Sequence, residues 1–171
     1  TLFPYTTLFR SAESQALARL ATTLKTEIKA GRLKVAAGTA ERWEEGKALW
    51  DQVTTQGDAG DVRAAYATMR TLRLHFADTL GAALAGKLSS TVQADFQAWW
   101  KLARVRIDRV VDYGRTHPLS DALKADYGRG EAHWQAAQAA AAKKSYATAL
   151  AEALRGLDAL DDVMWRIKQG R

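Results

Sequence analysis

The chain has 171 residues, 47% of them hydrophobic, and its 25 Lys and Arg against 19 Asp and Glu give a formal net charge of +6. It has no cysteine, which excludes a disulfide scaffold, a thiol nucleophile and a thiolate metal site. The basic residues are spread among acids over the whole chain, which favours a solvated surface over a nucleic-acid interface, and no run approaches the ~18 apolar residues of a membrane span.

The first eleven residues, Thr1 to Ser11, resemble the conceptual translation of a widely used sequencing-adapter oligonucleotide. We therefore expect residues 1–11 to be a non-native arm, and the native N-terminus to lie outside this sequence. Residues 12–171 are enough to bury a hydrophobic core, so we expect them to form one helical bundle domain.

The first half of the chain has the apolar periodicity of three helices. The first helix is predicted over residues 11–30, and a glycine follows it directly. The second helix is predicted to begin with Thr39 as its cap and to stop in the turn Gly57 to Gly60. Asp61 is the predicted cap of the third helix, which is expected to close near Gly86.

The fourth predicted helix, Val92 to Tyr113, has the clearest apolar face. Its large apolar residues fall inside an arc of about 120°, and they include the adjacent pair Trp99 and Trp100. A helix with two tryptophans on one face must be covered by other helices. We therefore expect this helix to be the central one of a bundle.

Two further helices are predicted after Pro118, one from Ser120 or Asp121 and one from near Ser145. No strand pattern competes with these six helices. Short connections predict antiparallel neighbours, so the expected fold is all-α, a single antiparallel bundle of five to six helices. The residues predicted for its core are Trp43, Trp50, Met69, Phe76, Phe96, Trp99, Trp100, Ile107, Trp134 and Leu157.

Two segments, Trp43 to Arg73 and Ala132 to Leu160, share a pattern of small and aromatic residues on either side of a short turn. The residues that carry the pattern are Trp43, Gly60, Asp61, Ala65 and Tyr66 in the first segment and Ala132, His133, Trp134, Tyr146, Ala149 and Leu150 in the second. Both segments resemble the helical hairpins of the tetratricopeptide repeat family. That family repeats about every 34 residues, whereas Ala65 and Ala149 lie much further apart. The resemblance therefore implies hairpins without a full repeat array.

The segment from Gly60 to Phe76 is also similar to helices of periplasmic iron-uptake and imelysin-like proteins, whose bundles carry acidic and histidine ligands. His75 and Asp78 have an i, i+3 spacing that could hold a metal, but we expect them to project away from the apolar stripe. His133 is expected at the edge of its helix and His117 in a loop. We therefore predict surface or rim positions for the histidines, no metal ligands and no cofactor.

Arg73 falls in the middle of the apolar arc of the third helix. Burying an unpaired guanidinium is costly, so its side chain must reach an edge or meet a carboxylate. Asp161 borders the apolar stripe of the last helix and is the predicted partner. In the alternative interpretation, Arg73 binds an anion inside the bundle.

The sequence has no nucleophile elbow, dinucleotide fingerprint, paired His-Glu motif or complete phosphate-binding loop. We therefore expect a non-catalytic helical bundle, not an enzyme, that acts as a protein-interaction or structural module. Its expected partner is another protein or a second copy of the chain, with no nucleic acid involved. The alternative is an extracytoplasmic bundle that binds a small ligand, haem or a metal.

Overall fold

The computed structural model describes residues 12–36, 38–83, 88 and 90–170, and the predicted non-native arm at residues 1–11 lies outside them. Within these ranges the chain forms six helices and no strand, apart from one isolated bridge between Val35 and Ala83, which confirms the predicted all-α helical bundle. The helices are α1 Ala12–Lys29, α2 Thr39–Asp58, α3 Val62–Gly81, α4 Ser90–Thr116, α5 Asp121–Ala142 and α6 Tyr146–Lys168.

Polar and glycine residues determine where several of the helices begin and end. Asp61 accepts a hydrogen bond from the amide of Ala64 at 3.0 Å and caps α3, and Ser120 caps α5 through the amide of Leu123. Thr39 is the first residue of α2 and does not cap it; its hydroxyl accepts from the amide of Val35 at 2.9 Å. α3 ends at Gly81, earlier than predicted.

The chain divides into two compact units, Thr1–Asp95 and Phe96–Arg171, with the boundary inside α4. The expectation of one domain over residues 12–171 stays a prediction.

In the first unit, α2 packs against α3 at Gly46. A Cβ atom placed on Gly46 would lie 3.0 Å from Cε1 of Phe76 and 3.2 Å from Cδ2 of His75, so the missing side chain lets α3 approach the backbone of α2. Only two residues of α2 are buried, Gly46 and Val53. Most of the buried surface of this unit is contributed by other elements, chiefly Leu17, Leu20 and Leu24 of α1 and Met69, Leu72, Phe76 and Leu80 of α3.

In the second unit, α5 and α6 approach closely through two facing glycines. A Cβ atom on Gly156 would lie 3.1 Å from the main-chain oxygen of Gly130, and one on Gly130 would lie 2.7 Å from Cγ of Leu160. Small residues therefore bring the two helix backbones together, where a longer side chain would hold them apart. Nearby, Val110, Leu123 and Val163 form a buried cluster.

Among the described residues, the helix with the most buried residues is α6, and the central position expected for α4 stays a prediction. Eleven residues of α6 are buried, and they are spread around the helix because they include Ala151 and Asp158 as well as the predicted stripe. The alanines and Gly156 of this helix allow close neighbours on more than one side.

Six of the ten predicted core residues are buried and four are not. The buried ones are Met69, Phe76, Phe96, Trp99, Ile107 and Leu157, whereas Trp43, Trp50, Trp100 and Trp134 are only half-buried. The four tryptophans lie at the edges of the buried arcs of their helices. An indole at such an edge covers the core with one face and leaves the other accessible.

Candidate functional site

Arg73 and Glu13 form an internal ion pair in the first unit. Arg73 is 0% exposed, and Nη1 of its guanidinium donates to Oε1 of Glu13 in the first turn of α1. The sequence analysis missed Glu13 because it is 60 residues away and belongs to another helix. The pair compensates two buried charges and ties α1 to α3.

Asp161 also has a basic partner within its own unit. Nε of Arg106 on α4 donates to Oδ1 of Asp161 on α6 at 2.5 Å. This contact ties α4 to α6 as the first ion pair ties α1 to α3. The predicted pairing of Asp161 with Arg73 would join the two units and stays a prediction.

Glu27 holds the turn that follows α1. Its carboxylate is 1% exposed and accepts from both Nε and Nη2 of Arg32, at 2.9 and 3.0 Å. The carbonyl of Glu27 also accepts from the amides of Arg32 and Leu33. This bidentate bond raises the pKa of the Arg32 guanidinium, and it orders the chain where the helix stops.

His75 lies in the contact between α2 and α3 and is half-buried there. The side chain is 9% exposed, and its Nε2 donates to the carbonyl of Arg42 at 2.7 Å. A carbonyl only accepts, so Nε2 carries a proton, while Nδ1 lies 3.8 Å from Oε2 of Glu45. The small Gly46 creates the space for the ring. Asp78 is exposed.

His133 joins α5 to α6 through a carboxylate. Its Nδ1 lies 2.6 Å from Oε2 of Glu152, and Oε1 of the same carboxylate accepts from Nη1 of Arg155 at 2.9 Å. A histidine oriented by a carboxylate can act as a general base when a nucleophile lies against its other nitrogen. Within the described ranges Nε2 of His133 has no hydrogen bond, and the contact of Nδ1 with Glu152 connects α5 to α6.

Metal binding needs at least three converging ligands in most protein sites. The part of the chain that the structure describes contains no group of three His, Asp or Glu residues that could hold a metal ion. Its helices are also too short or too polar to cross a membrane.

Asp95 is a buried carboxyl group near the start of α4. Burial raises its pKa, although a hydrogen bond from Thr23 and the positive charge of Arg19 oppose the rise. Its Oδ2 has no hydrogen-bond partner among the described residues. The sequence offered no signal for this group, because an acid near the start of a helix is usually solvated.

We expect Asp95→Asn to raise the midpoint of thermal unfolding by a few degrees at pH 7. A raised pKa means that the folded state favours protonated Asp95, so this contribution to stability is full at low pH and is lost as the pH rises through the folded-state pKa. Asparagine stays neutral throughout, and its amide oxygen can still accept from Thr23. The gain should vanish near pH 3, below the ordinary aspartate pKa of about 3.9.

Thermal unfolding followed by circular dichroism between about pH 3 and about pH 7 measures this effect. The control is Asp112→Asn, which removes an exposed carboxylate of the same helix. An equal gain in both variants, or a gain for Asp95→Asn that does not depend on pH, would contradict the raised pKa.

Trp100 and Trp134 form a half-buried stack in the second unit. Their ring centroids are 4.8 Å apart at an interplanar angle of 12°, and Nε1 of Trp134 donates to the carbonyl of Trp100 at 3.3 Å. The guanidinium of Arg104 lies 5.5 Å from the centroid of Trp134. The stack fixes α4 against α5 through aromatic and cation–π contacts.

α2 presents an accessible surface that combines aromatic and acidic residues. At 100° per residue, Trp43, Trp50, Asp51 and Asp58 fall within an arc of about 100° on this helix. The two indoles are half-buried, and the two aspartates are exposed. We call these four residues the acidic aromatic edge of α2.

α4 presents a basic stripe on its exposed side. Lys101, Val105 and Arg109 follow one another at intervals of four residues and fall within an arc of about 80°. All three are exposed, and Val105 is the most exposed large hydrophobic residue of the described chain, at 42%. We call these three residues the basic stripe of α4.

Comparison of the chain with protein-family models, with curated proteins and with solved structures finds no match.

Proposed function

We propose that this protein is a non-catalytic helical bundle that acts as a protein-interaction or structural module. The observation that carries the proposal is the acidic aromatic edge of α2, where Trp43 and Trp50 stay half-exposed one heptad apart. Tryptophan is enriched at the centres of protein interfaces, because it buries a large area at a low cost in side-chain entropy. Such a pair on an accessible helix face is typical of a binding surface.

The internal charged groups of the chain support the proposal. Arg73 with Glu13, Arg106 with Asp161, and Glu27 with Arg32 each form an ion pair within one unit. Their charges therefore stabilise contacts between helices or order a turn. The acidic aromatic edge of α2 and the basic stripe of α4 are accessible helix faces, where another macromolecule can reach them.

Site-specific photo-crosslinking of the full chain tests the proposal. We would place p-benzoylphenylalanine at Trp50 and, as the matched control, at Gln52, which is exposed and faces about 160° away on α2. The expected result is a discrete cross-linked product from position 50 and none from position 52, in the purified protein if the partner is a second copy or in a lysate to which it is added if the partner is another protein. Equal yields from both positions, or no product from either, would contradict a binding surface on this edge.

The purified chain used for crosslinking also tests the haem or metal-binding alternative. We expect no stoichiometric metal by elemental analysis and no haem band in the visible spectrum, since His75 already donates Nε2 to a main-chain carbonyl. One metal or haem per chain would overturn the proposal.

A further inference from the structure

We propose that the acidic aromatic edge of α2 binds the basic stripe of α4 on a second copy of this chain. The inference rests on the proposed function, because it names the partner of the same surface. The observations that support it are the charges and the apolar residues on two exposed helix faces, and the matching distances between the charged residues on each face.

The carboxylates of the α2 edge are available for a partner. Asp51 and Asp58 are exposed and form no ion pair within the described residues. Lys47 lies in the same arc, but its Nζ is 3.6 Å from Oε2 of Glu44. The edge therefore presents two free negative charges beside two accessible indoles.

The cations of the α4 stripe are available in the same way. Lys101 and Arg109 are exposed and have no ion-pair partner in the part of the chain that the structure describes. The neighbouring acids are already engaged, since Asp108 lies 3.1 Å from Nε of Arg104 and Asp112 accepts from Arg115 at 3.0 Å. The stripe therefore presents two free positive charges with an exposed valine between them.

The two surfaces match in length as well as in charge. Asp51 and Asp58 are seven residues apart, or ~10.5 Å along the helix axis, and Lys101 and Arg109 are eight residues apart, or ~12 Å. Two helices packed side by side bring both pairs of opposite charges together. Val105 would then lie between the two ion pairs and be shielded from water.

The distribution of charge over the chain favours a second copy as the occupant. α2 contains five acids and two bases, a net charge of −3, in a chain of net charge +6, so the remaining residues carry +9. An acidic helix on a basic chain is attracted to other copies of that chain. Exposed ion pairs are weak and screened by salt, so we expect association to be weak and salt-dependent.

The test is the mass of the full chain in solution, by sedimentation equilibrium up to about 300 µM. At about 50 mM salt we expect the mass to rise with concentration above the 18.8 kDa of one chain, and to return to it at about 500 mM salt. Asp51→Lys with Asp58→Lys, and separately Lys101→Glu with Arg109→Glu, should each raise the dissociation constant about tenfold or more by placing like charges opposite each other.

Mixing the two double variants is the decisive experiment. Opposite charges face each other in the mixture at every α2 edge and α4 stripe, so a mixed complex should form although each variant alone stays monomeric. The control for the α2 variant is Asp78→Lys with Asp121→Lys, which changes the net charge by the same amount at exposed acids outside α2 and α4 and should leave association intact. Circular dichroism establishes that every variant keeps its helices.

Three results would overturn the inference: a monomer at every concentration, association that neither double variant weakens, or failure of the mixture to form a complex. Its failure is distinguishable from failure of the proposed function. A crosslinked product from position 50 that contains a different protein would preserve the interaction module and exclude the second copy as its partner. Absence of any such product would contradict the module itself.

Discussion

Replacing Gly156 with valine should lower the free energy of unfolding by about 3 kcal/mol or more. A Cβ atom at this position would lie 3.1 Å from the carbonyl oxygen of Gly130 and 3.3 Å from the amide nitrogen of Trp134. Both contacts are with the main chain of α5, which has no alternative rotamer to relieve them. The two helices would therefore have to separate, and the packing between them would be lost along with the close contact.

Urea denaturation followed by circular dichroism measures the loss, and Gly128→Ala is the control. Gly128 also lies on α5, but a Cβ atom there meets nothing within 4 Å. Alanine at this site should stabilise the protein by about 0.5–1 kcal/mol through its higher helix propensity. A loss below about 1 kcal/mol for Gly156→Val would show that α5 and α6 do not approach closely at Gly156.

The number and order of the helices could be predicted from the sequence because each helix carries its own local signals. Asp61 and Ser120 are capping residues in sequence and in structure. The apolar period of 3.6 residues identifies an amphipathic helix whatever its neighbours are. No segment has the alternating pattern of a strand, so the sequence alone predicts an all-α fold.

The packing between helices could not be predicted from the same signals. Gly130 and Gly156 could equally bend a helix or bring two helices together, and only the partner helix decides which. Trp43 and Trp50 align with an apolar stripe, but the stripe does not reveal how much of it other helices cover.

The polar contacts between helices could not be predicted either, because each depends on a residue of a second helix. Arg73 is the one basic residue inside the apolar arc of its helix, but its partner Glu13 is on another helix and no sequence pattern connects the two. The helix angle of His75 predicts a surface or rim position, but it does not reveal the contact with the carbonyl of Arg42. That contact depends on the space that Gly46 leaves in the neighbouring helix.

Replacing Trp99 with alanine should cost about 3–5 kcal/mol, the range for deleting a large buried aromatic side chain. Trp99 is 0% exposed and is the largest fully buried side chain of the described residues. Its Nε1 has no hydrogen-bond partner among them. The loss should therefore arise from apolar burial and the cavity left behind, with no contribution from a broken hydrogen bond.

Two further variants separate these causes by urea denaturation. Trp99→Phe keeps most of the apolar volume and removes the indole N–H, so it should cost less than half as much as Trp99→Ala. Trp165→Ala removes an indole that is 37% exposed, and it should cost clearly less than Trp99→Ala because part of the indole is already in water. Equal losses for Trp99→Phe and Trp99→Ala would show that the indole nitrogen makes an essential contact. A loss for Trp99→Ala as small as that of Trp165→Ala would contradict the burial of Trp99, because a cavity of this size cannot form without cost in a close-packed core.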